Sequence, residues 1–357
     1  MSKTLNQLRI LHLGDMARVG YRLTKLLRKN GISADYLYYD EPYHYDDQKK
    51  EPWHHSFKTS QSSRFNKIKV IKESIHAIKK YDIIHAHSSY SIPLLFSFAK
   101  KPFIMHLHGT DTRVYAKEHS LIGVMLRRTL KKANKILVST PDLINEVALF
   151  RKDAVFLPNP VDFDTFQPKK SPIDIRGDFE FVVFHPAHHS LTKRNDILIK
   201  AFSEVINQGF NARLVMVEWG SLLKESKDLV EKLGITKNVK WIQRIEVEKM
   251  VDYYNASDVV CDQFSVGQLG LVSLEAMACG KPVITKYSEV AGTYSSKPPV
   301  LSSDNEKAIT KNIIHLIENP SERTKIGSES LKWVKNEHSE KKIFKILIKS
   351  YEYMVKK

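Results

Sequence analysis

The stretch DQFSVGQLGLVSLEAMACGKPVIT (262–285) reads as the end of a strand, a loop holding Gly267 and Gly270, a helix carrying Glu275 and, after Gly280-Lys281-Pro282, a further strand. Glycines ahead of a helix let backbone N–H groups and the positive end of the helix dipole face an anion such as a phosphate. A carboxylate one turn into that helix can accept both hydroxyls of a ribose. Ligands of open α/β sheets bind beyond the carboxyl ends of the strands, so this loop is where a ligand is expected.

Upstream, short apolar runs alternate with helical patterns. LRILHL (8–13) is short enough for a strand buried on both faces, and Gly14 follows it at once. Met16, Val19, Leu23, Leu26 and Leu27 then step by three and four until Asn30-Gly31, a left-handed stop. Comparable runs recur at ADYLYY (34–39), DIIHAH (82–87), FIMHLH (103–108), KILVST (135–140) and AVFLPN (154–159), with Thr140-Pro141 as N-cap and first-turn proline of a helix. NPVDFDTFQPKKSPIDIRGD (159–178) is rich in Pro and Asp and reads as an interdomain linker. The pattern then restarts with FEFVVF (179–184), ARLVMVEW (212–219), VKWIQ (239–243), DVVCDQF (258–264) and PVITK (282–286), between helical segments near 195–207, 223–233, 246–255, 271–279 and 305–335. Parallel strands need crossover connections, so the expected class is α/β, with two Rossmann-like, doubly wound parallel-sheet domains. HYDDQKKEPWHHSFKTSQSS (44–63) is polar and aperiodic and reads as a long loop. The tail EHSEKKIFKILIKSYEYMVKK (337–357) predicts a basic amphipathic helix with Ile343, Phe344, Leu347 and Tyr351 on its apolar face.

The 357 residues carry 56 Lys and Arg against 40 Asp and Glu, a net charge of +16, with 42% hydrophobic and 27% charged residues. Those proportions are globular and exclude collagen-like or broadly disordered chains, and the length suits two domains with their own cores. Cys261 and Cys279 form neither a disulfide framework nor a Cys-x-x-Cys zinc or redox motif, which favours a reducing cytoplasm. No run resembles a signal peptide and none approaches about 18 apolar residues, so neither export nor membrane spanning is expected. The basic stretches RFNKIKVIKESIHAIKK (64–80), LRRTLKKANK (126–135) and the tail are solvated helix faces or a surface for anionic lipid headgroups. Aromatic residues sit mainly in core-like runs rather than among the basic ones, so nucleic acid is not an expected partner.

GDMARVG (14–20) lacks the full G-x-G-x-x-G of a dinucleotide site, and Gly14 is either a turn glycine or one that faces a ligand. His85-x-His87 and His106-x-His108 each place two imidazoles on one strand face, a pattern that can bind zinc. No Asp, Glu or His set completes a coordination sphere in an obvious way, which disfavours a metal hydrolase.

LGLVSLEAMACGKPVI (269–284) closely resembles the donor-site signature of the retaining GT-B glycosyltransferases, particularly the large family 4. HGTD (108–111) resembles the family's histidine motif, VSTPDL (138–143) with LPNPVDFDTFQP (157–168) the close of its first domain, and TKRNDILIKAF (192–202) the basic segment of its second. NVKWIQRIEVEKMVDYYNASDVVCDQF (238–264) is similar to the elements before its donor loop, so the resemblance covers nearly the whole chain. It implies a cytoplasmic, peripherally membrane-associated hexosyltransferase that moves a sugar from a UDP- or GDP-sugar to a hydroxyl of a glycan or lipid-linked acceptor in envelope glycoconjugate synthesis, with retention. It also implies two domains facing a cleft: 1–163 for the acceptor, 164–336 for the nucleotide-sugar, and a helix at 337–357 crossing back to the first domain.

No cofactor and no divalent metal are implied. Lys193 and the N–H groups of Gly270, Leu271 and Val272 would meet the charge that builds on the departing diphosphate, while Glu275 holds the ribose. Gly14, His188, Arg194 and Gly267 complete the donor side by resemblance. His108 would lie beside the transferred sugar, with Asp15 and Arg18 on the acceptor side, His87 either lining that side or a hydrogen-bonded structural histidine, and Asp111 ordering the loop or the acceptor. Two departures stand out. The first glutamate of the family's Glu-x7-Glu pair is Gly267 here, leaving its backbone or the Gln268 side chain as substitute. The usual arginine about five residues before the lysine is replaced by His188 or His189, with Arg194 just after Lys193. A histidine there would neutralise diphosphate only when protonated. The alternative to an active transferase is a weak or inactive homologue that binds a sugar nucleotide as scaffold or regulator.

Overall fold

A computed structural model describes residues 7–14, 16–40, 51–58, 75–76, 78–87 and 101–355. The chain divides into two compact units, Met1–Pro160 with His338–Lys357, and Val161–Glu337.

The first unit carries β1 (Ile10–Leu13), α1 (Val19–Lys29), β2 (Ala34–Asp40), β3 (His54–Lys58), β4 (Ile83–His87), β5 (Phe103–Leu107), α2 (Thr110–Arg113), α3 (Leu121–Lys132), β6 (Lys135–Val138), α4 (Leu143–Ala148) and β7 (Val155–Phe156). Its strands form one parallel sheet in the order β3-β2-β1-β4-β5-β6-β7. Strand alternation sends Leu11, Leu13, Ile84, Ala86, Met105 and Leu107 into one core with Leu126, Leu130, Leu143 and Val147. The intervening residues face the other side, and four of them are fully buried histidines: His12, His85, His87 and His106. Register sets His12 beside His85 and His87 beside His106.

The second unit carries β8 (Phe181–His185), α5 (Asn195–Asn207), β9 (Ala212–Val217), α6 (Leu223–Lys232), β10 (Val239–Ile242), α7 (Val247–Ala256), β11 (Val259–Cys261), α8 (Leu271–Ala278), β12 (Val283–Thr285), β13 (Leu301–Ser302), α9 (Glu306–Glu318) and α10 (Pro320–Glu337). Its parallel sheet runs β10-β9-β8-β11-β12-β13. In both units the first and fourth strands are neighbours, β1 with β4 and β8 with β11, so the strand order reverses there. Crevices at such switch points are where open α/β sheets hold ligands. The tail forms α11 (Glu340–Val355), which belongs to the first unit and buries Ile343, Leu347 and Tyr351 completely.

Four sequence expectations need correction. Residues 44–63 are not loop throughout, because His54–Lys58 pairs with β2 as the edge strand. An edge strand has one neighbour and is commonly polar, so it lacks the apolar run that marked the others. The proposed linker 159–178 is largely packed structure, with Val161, Phe166 and Ile175 in a core of the second unit. The helix expected over 305–335 is two, since Asn319 ends α9 and Pro320 takes the first position of α10, where its missing N–H costs nothing. Thr140 does not cap its helix: its hydroxyl donates to Asp142 Oδ1 at 2.7 Å, and α4 starts at Leu143. No described helix is long and apolar enough to cross a membrane.

Candidate active site

In the second unit β8 and β11 end side by side. His185, the last residue of β8, donates from Nδ1 to the Cys261 carbonyl and accepts from Asn195 Nδ2 at Nε2, both at 2.9 Å. Asn195 Oδ1 accepts from the Ser190 N–H at 3.2 Å, and the Ser190 carbonyl accepts from the N–H groups of Lys193 and Arg194 at 3.1 and 3.2 Å. The loop so braced presents Lys193, whose Nζ donates to Asp262 Oδ1 at 2.7 Å. Asp262, the first residue beyond β11, is completely buried, and its Oδ2 accepts from Ser273 Oγ of α8 at 2.8 Å. Burial pushes the Asp262 carboxyl up, but the Lys193 ammonium and the Ser273 hydroxyl outweigh it and hold the group below the usual carboxylate range. Asp262 is therefore ionised at neutral pH.

Gly270 caps α8, and a Cβ on it would stand 2.9 Å from Asp262 Oδ2, so glycine is what lets the helix begin this close to the carboxylate. The first N–H groups of any helix have no acceptor within it, and in α8 these include the half-buried Leu271 and Val272. Glu275, one turn in, is 6% exposed, and its Oε2 accepts from Tyr254 Oη at 3.2 Å. Burial, reinforced by the Glu275 charge, keeps the Tyr254 phenol protonated for that bond. The loop after β8 and the span from β11 to α8 thus bring together a cation, a helix N-terminus and a buried carboxylate. That set can meet a diphosphate and a diol.

Asp262 is hidden in the sequence because it directly follows the apolar run Val259–Cys261 and reads as a strand end. Gly267 has φ +78, its N–H points to Gln263 Oε1 at 3.4 Å, and its carbonyl accepts from the Ser288 N–H at 2.8 Å. Gln263 Oε1 also accepts from the N–H groups of Ser265 and Val266, while Gln268 Nε2 donates to the Ser288 carbonyl at 2.9 Å. These contacts brace the loop that stands where the family's first glutamate would be. Arg194 adopts a left-handed φ of +54 and pairs with Asp196 at 2.9 and 3.0 Å instead of joining Lys193. His188 lies tilted against Trp219, 5.2 Å between centroids, and burial followed by the Lys193 charge lowers its pKa. It is neutral at pH 7 where no phosphate charge stands beside it. His189 is buried against Ser226 Oγ at 2.7 Å and is structural.

In the first unit the HGTD turn is organised by Asp111, whose carboxylate accepts from the N–H groups of His108, Gly109 and Thr112 at 2.8, 2.9 and 2.8 Å. It thereby orders the turn. His87 is fully buried and hydrogen-bonded between His12 and His108, as the structural one of its two expected places would have it. His108 is half-buried. Gly14 has φ +78 and donates to the Leu37 carbonyl, and Arg18 caps α1 in a left-handed conformation with its guanidinium 4.9 Å from the Tyr21 ring centre. Asp15 lies outside the described residues.

His12, His85 and His87, and likewise His87, His106 and His108, bring ring nitrogens within 4.8 Å of one another. A bound ion would need their lone pairs to converge on one point about 2 Å from each. Instead His85 and His87 lie parallel, 4.8 Å apart with 1° between planes, and their nitrogens meet neighbours in pairs at 3.0 to 3.3 Å. The arrangement fits a hydrogen-bonded stack better than a metal cage.

Two family models match successive parts of the chain, Glycosyltransferase Family 4 over residues 16–165 and Glycosyl transferases group 1 over residues 167–333. The alpha-monoglucosyldiacylglycerol synthase of Acholeplasma laidlawii is 22% identical over 288 residues, 72% of each chain. The GDP-mannose-dependent monoacylated alpha-(1-6)-phosphatidylinositol monomannoside mannosyltransferase of Corynebacterium glutamicum is 30% identical over 163 residues, 41% of this chain and 40% of that one, so this chain spans less than half of that relative. Among solved structures, Anabaena HepE in complex with UDP and glucose matches at TM-score 0.72 and 17% identity, covering 97% of this chain and 100% of that one, a likeness of fold. With its two reversed-order parallel sheets and family matches that together run from residue 16 to 333, the chain belongs to the GT-B-fold glycosyltransferases of the family 4 and group 1 type, enzymes that take a sugar from a nucleotide-sugar donor.

Proposed function

We propose that this enzyme moves a hexose from a UDP- or GDP-sugar to a hydroxyl of a lipid-linked or glycan acceptor of the cell envelope, with retention of configuration and without a divalent metal. The observation that carries this reading is the Lys193 ammonium held by buried Asp262 beside the start of α8. As the diphosphate leaves it gains charge, and fixed donors aimed at that charge lower the barrier more than they favour the substrate. Lys193 Nζ and the N–H groups of Gly270, Leu271 and Val272 are those donors. Glu275 accepts the ribose hydroxyls, and His108 contacts the transferred sugar. The second unit is assigned the donor and the first the acceptor.

A lipid acceptor is supported by the names of the two curated relatives and by α3. Leu121 and Ile122 at its start are 75% and 42% exposed, while Arg128, Lys131 and Lys132 are exposed further along the same helix. Apolar residues beside cations suit docking on an anionic membrane surface, short of insertion. Co-sedimentation with vesicles containing phosphatidylglycerol tests this: binding should fall steeply between 50 and 300 mM salt, on the order of a Debye length's change in screening. Absent or salt-insensitive binding would redirect the reading to a soluble glycan acceptor.

A further inference from the structure

Gln263, the second residue beyond β11, is 3% exposed, and its side-chain amide is hydrogen-bonded at both ends. Oε1 accepts from the N–H groups of Val266 and Ser265 at 2.7 and 3.0 Å, with the Gly267 N–H at 3.4 Å. Nε2 donates to the carbonyls of Lys286 and Gln268 at 2.9 and 3.1 Å. A primary amide has two lone pairs and two N–H groups, so all of them are in use. N–H groups on one side and carbonyls on the other admit only one orientation of the amide. The Gln263 main chain adds a second tie to the end of β12, where its carbonyl accepts from the Thr285 hydroxyl and the Lys286 N–H, both at 2.8 Å.

The turn folded over this amide, Ser265 to Gln268, reaches two ways. Ser265 Oγ donates to the Thr192 carbonyl at 2.6 Å, one residue before Lys193. Gln268 leads within two residues to Gly270 and the start of α8. The turn therefore lies between the cation and the helix N-terminus that together suit a diphosphate. A sugar joined to that diphosphate lies within reach of both, and so against the turn.

We propose, resting on the transferase reading, that Gln263 is a positioning residue: its amide sets the turn 265–268 against the transferred sugar and ties that turn to the Lys193 loop. Only a side chain that both donates and accepts can do this. Glutamate of the same shape would set a carboxylate against the Lys286 and Gln268 carbonyls, and leucine would leave the backbone groups around it without partners. A turn containing glycine samples many shapes unless it is held, and holding it in advance removes that ordering from the cost of reaching the transition state. Lys193 does not depend on the clasp, because Asp262 holds its ammonium directly. The two halves of the donor are thus met by separate devices, the diphosphate by Lys193 with α8 and the sugar by the turn that Gln263 holds.

The test compares wild type, Gln263→Ala and Ser265→Ala in turnover of UDP-glucose, UDP-galactose, GDP-mannose and GDP-glucose, and in binding of UDP and GDP by calorimetry. In Gln263→Ala, kcat/KM for the accepted nucleotide-sugar is expected to fall on the order of 100-fold, as for a misplaced reactant, while the bare diphosphate binds within about twofold of wild type. A role confined to folding would lower both together through the fraction of folded protein, so a parallel loss overturns the proposal, as does an unchanged kcat/KM. Ser265 is exposed, so Ser265→Ala carries the test where Gln263→Ala does not fold. Its kcat is expected to fall about tenfold with diphosphate affinity unchanged, and a wild-type kcat would overturn the tie to the Lys193 loop. A wild type that binds one nucleotide-sugar more tightly than its bare diphosphate but turns over none would sink the transferase reading alone. The loss of that preference in Gln263→Ala then supports the role of Gln263, and its retention, or its absence from such an inactive wild type, overturns it.

Discussion

Lys193 Nζ rests 2.7 Å from Asp262 Oδ1, and the two meet at the one place in the second unit where adjacent strands lead to helices on opposite sides of the strand-order reversal. Lys193 keeps 20% of its side chain exposed and Asp262 none, so one charge of the pair still faces out. Removing the lysine alone strands a buried carboxylate. Lys193→Ala should therefore lower unfolding stability by roughly 3 kcal/mol as well as activity. Adding Asp262→Asn should restore most of the stability and none of the activity. Urea melts of the two variants check this, and a single variant as stable as wild type would contradict the buried pairing.

Asp262→Asn alone leaves Lys193 charged but untethered, and the site one unit more positive. Nucleoside diphosphate should bind at least as tightly while kcat falls on the order of 100-fold, the cost of misplacing one charge-stabilising donor. Calorimetry with UDP and GDP beside steady-state rates separates the two effects. Weakened binding with an unchanged kcat would mean that Asp262 serves the ground state.

Glu275 is buried and hydrogen-bonded to Tyr254, so Glu275→Gln is a milder change than alanine. If Glu275 accepts the ribose hydroxyls, Glu275→Gln should weaken UDP or GDP by about 10-fold and pyrophosphate not at all. Equal losses for both ligands would place Glu275 in the framework of α8 instead.

Restoring the family's first glutamate should fail. Gly267 has φ +78, and a Cβ there would come 2.7 Å from Ser288 Oγ, so Gly267→Glu strains both backbone and neighbour. A loss of about 1–3 kcal/mol with no gain in donor affinity is expected by thermal melting and calorimetry. Tighter donor binding would show that the loop can reopen to the usual arrangement.

The buried histidines make stability depend on pH. Their folded pKa values lie below the ordinary 6.5, His12 at about 3 and His185 at about 3, so they take up protons on unfolding and not before. Stability is flat above about pH 6.5 and declines as pH falls toward 3, by up to about 1.4 kcal/mol per pH unit for each such ring. Loss between pH 6.5 and 5, above the range where ordinary carboxylates titrate, is the mark of the histidines. A stability curve flat to pH 5 would contradict their neutral burial.

Gly270 and Glu275 were legible because they sit in a contiguous run whose local pattern, strand then glycine loop then helix, is also its structure, and Lys193 because it stands in a basic segment, TKRNDILIKAF, directly before a helix. Asp262 was hidden by its position at the end of an apolar run, where a polar residue looks like a strand terminus. β3 was missed because an edge strand needs no second apolar face, and β13 because two residues leave no periodicity. Tyr351 was legible as the apolar face of a helix, but its hydroxyl meets His85 only through tertiary structure. The replacement of arginine by His188 was visible, whereas its neutral state follows from burial and from Lys193, which no local pattern records.

The most direct measurement is nucleotide release from UDP-, GDP-, ADP- and dTDP-sugars in EDTA, with and without a lipid extract, comparing wild type with Lys193→Ala/Asp262→Asn. Release from one donor that rises with lipid, survives EDTA and falls at least about 100-fold in the double variant is the predicted result. Release that requires an added divalent metal, or that the double variant retains, would contradict a diphosphate site built on Lys193.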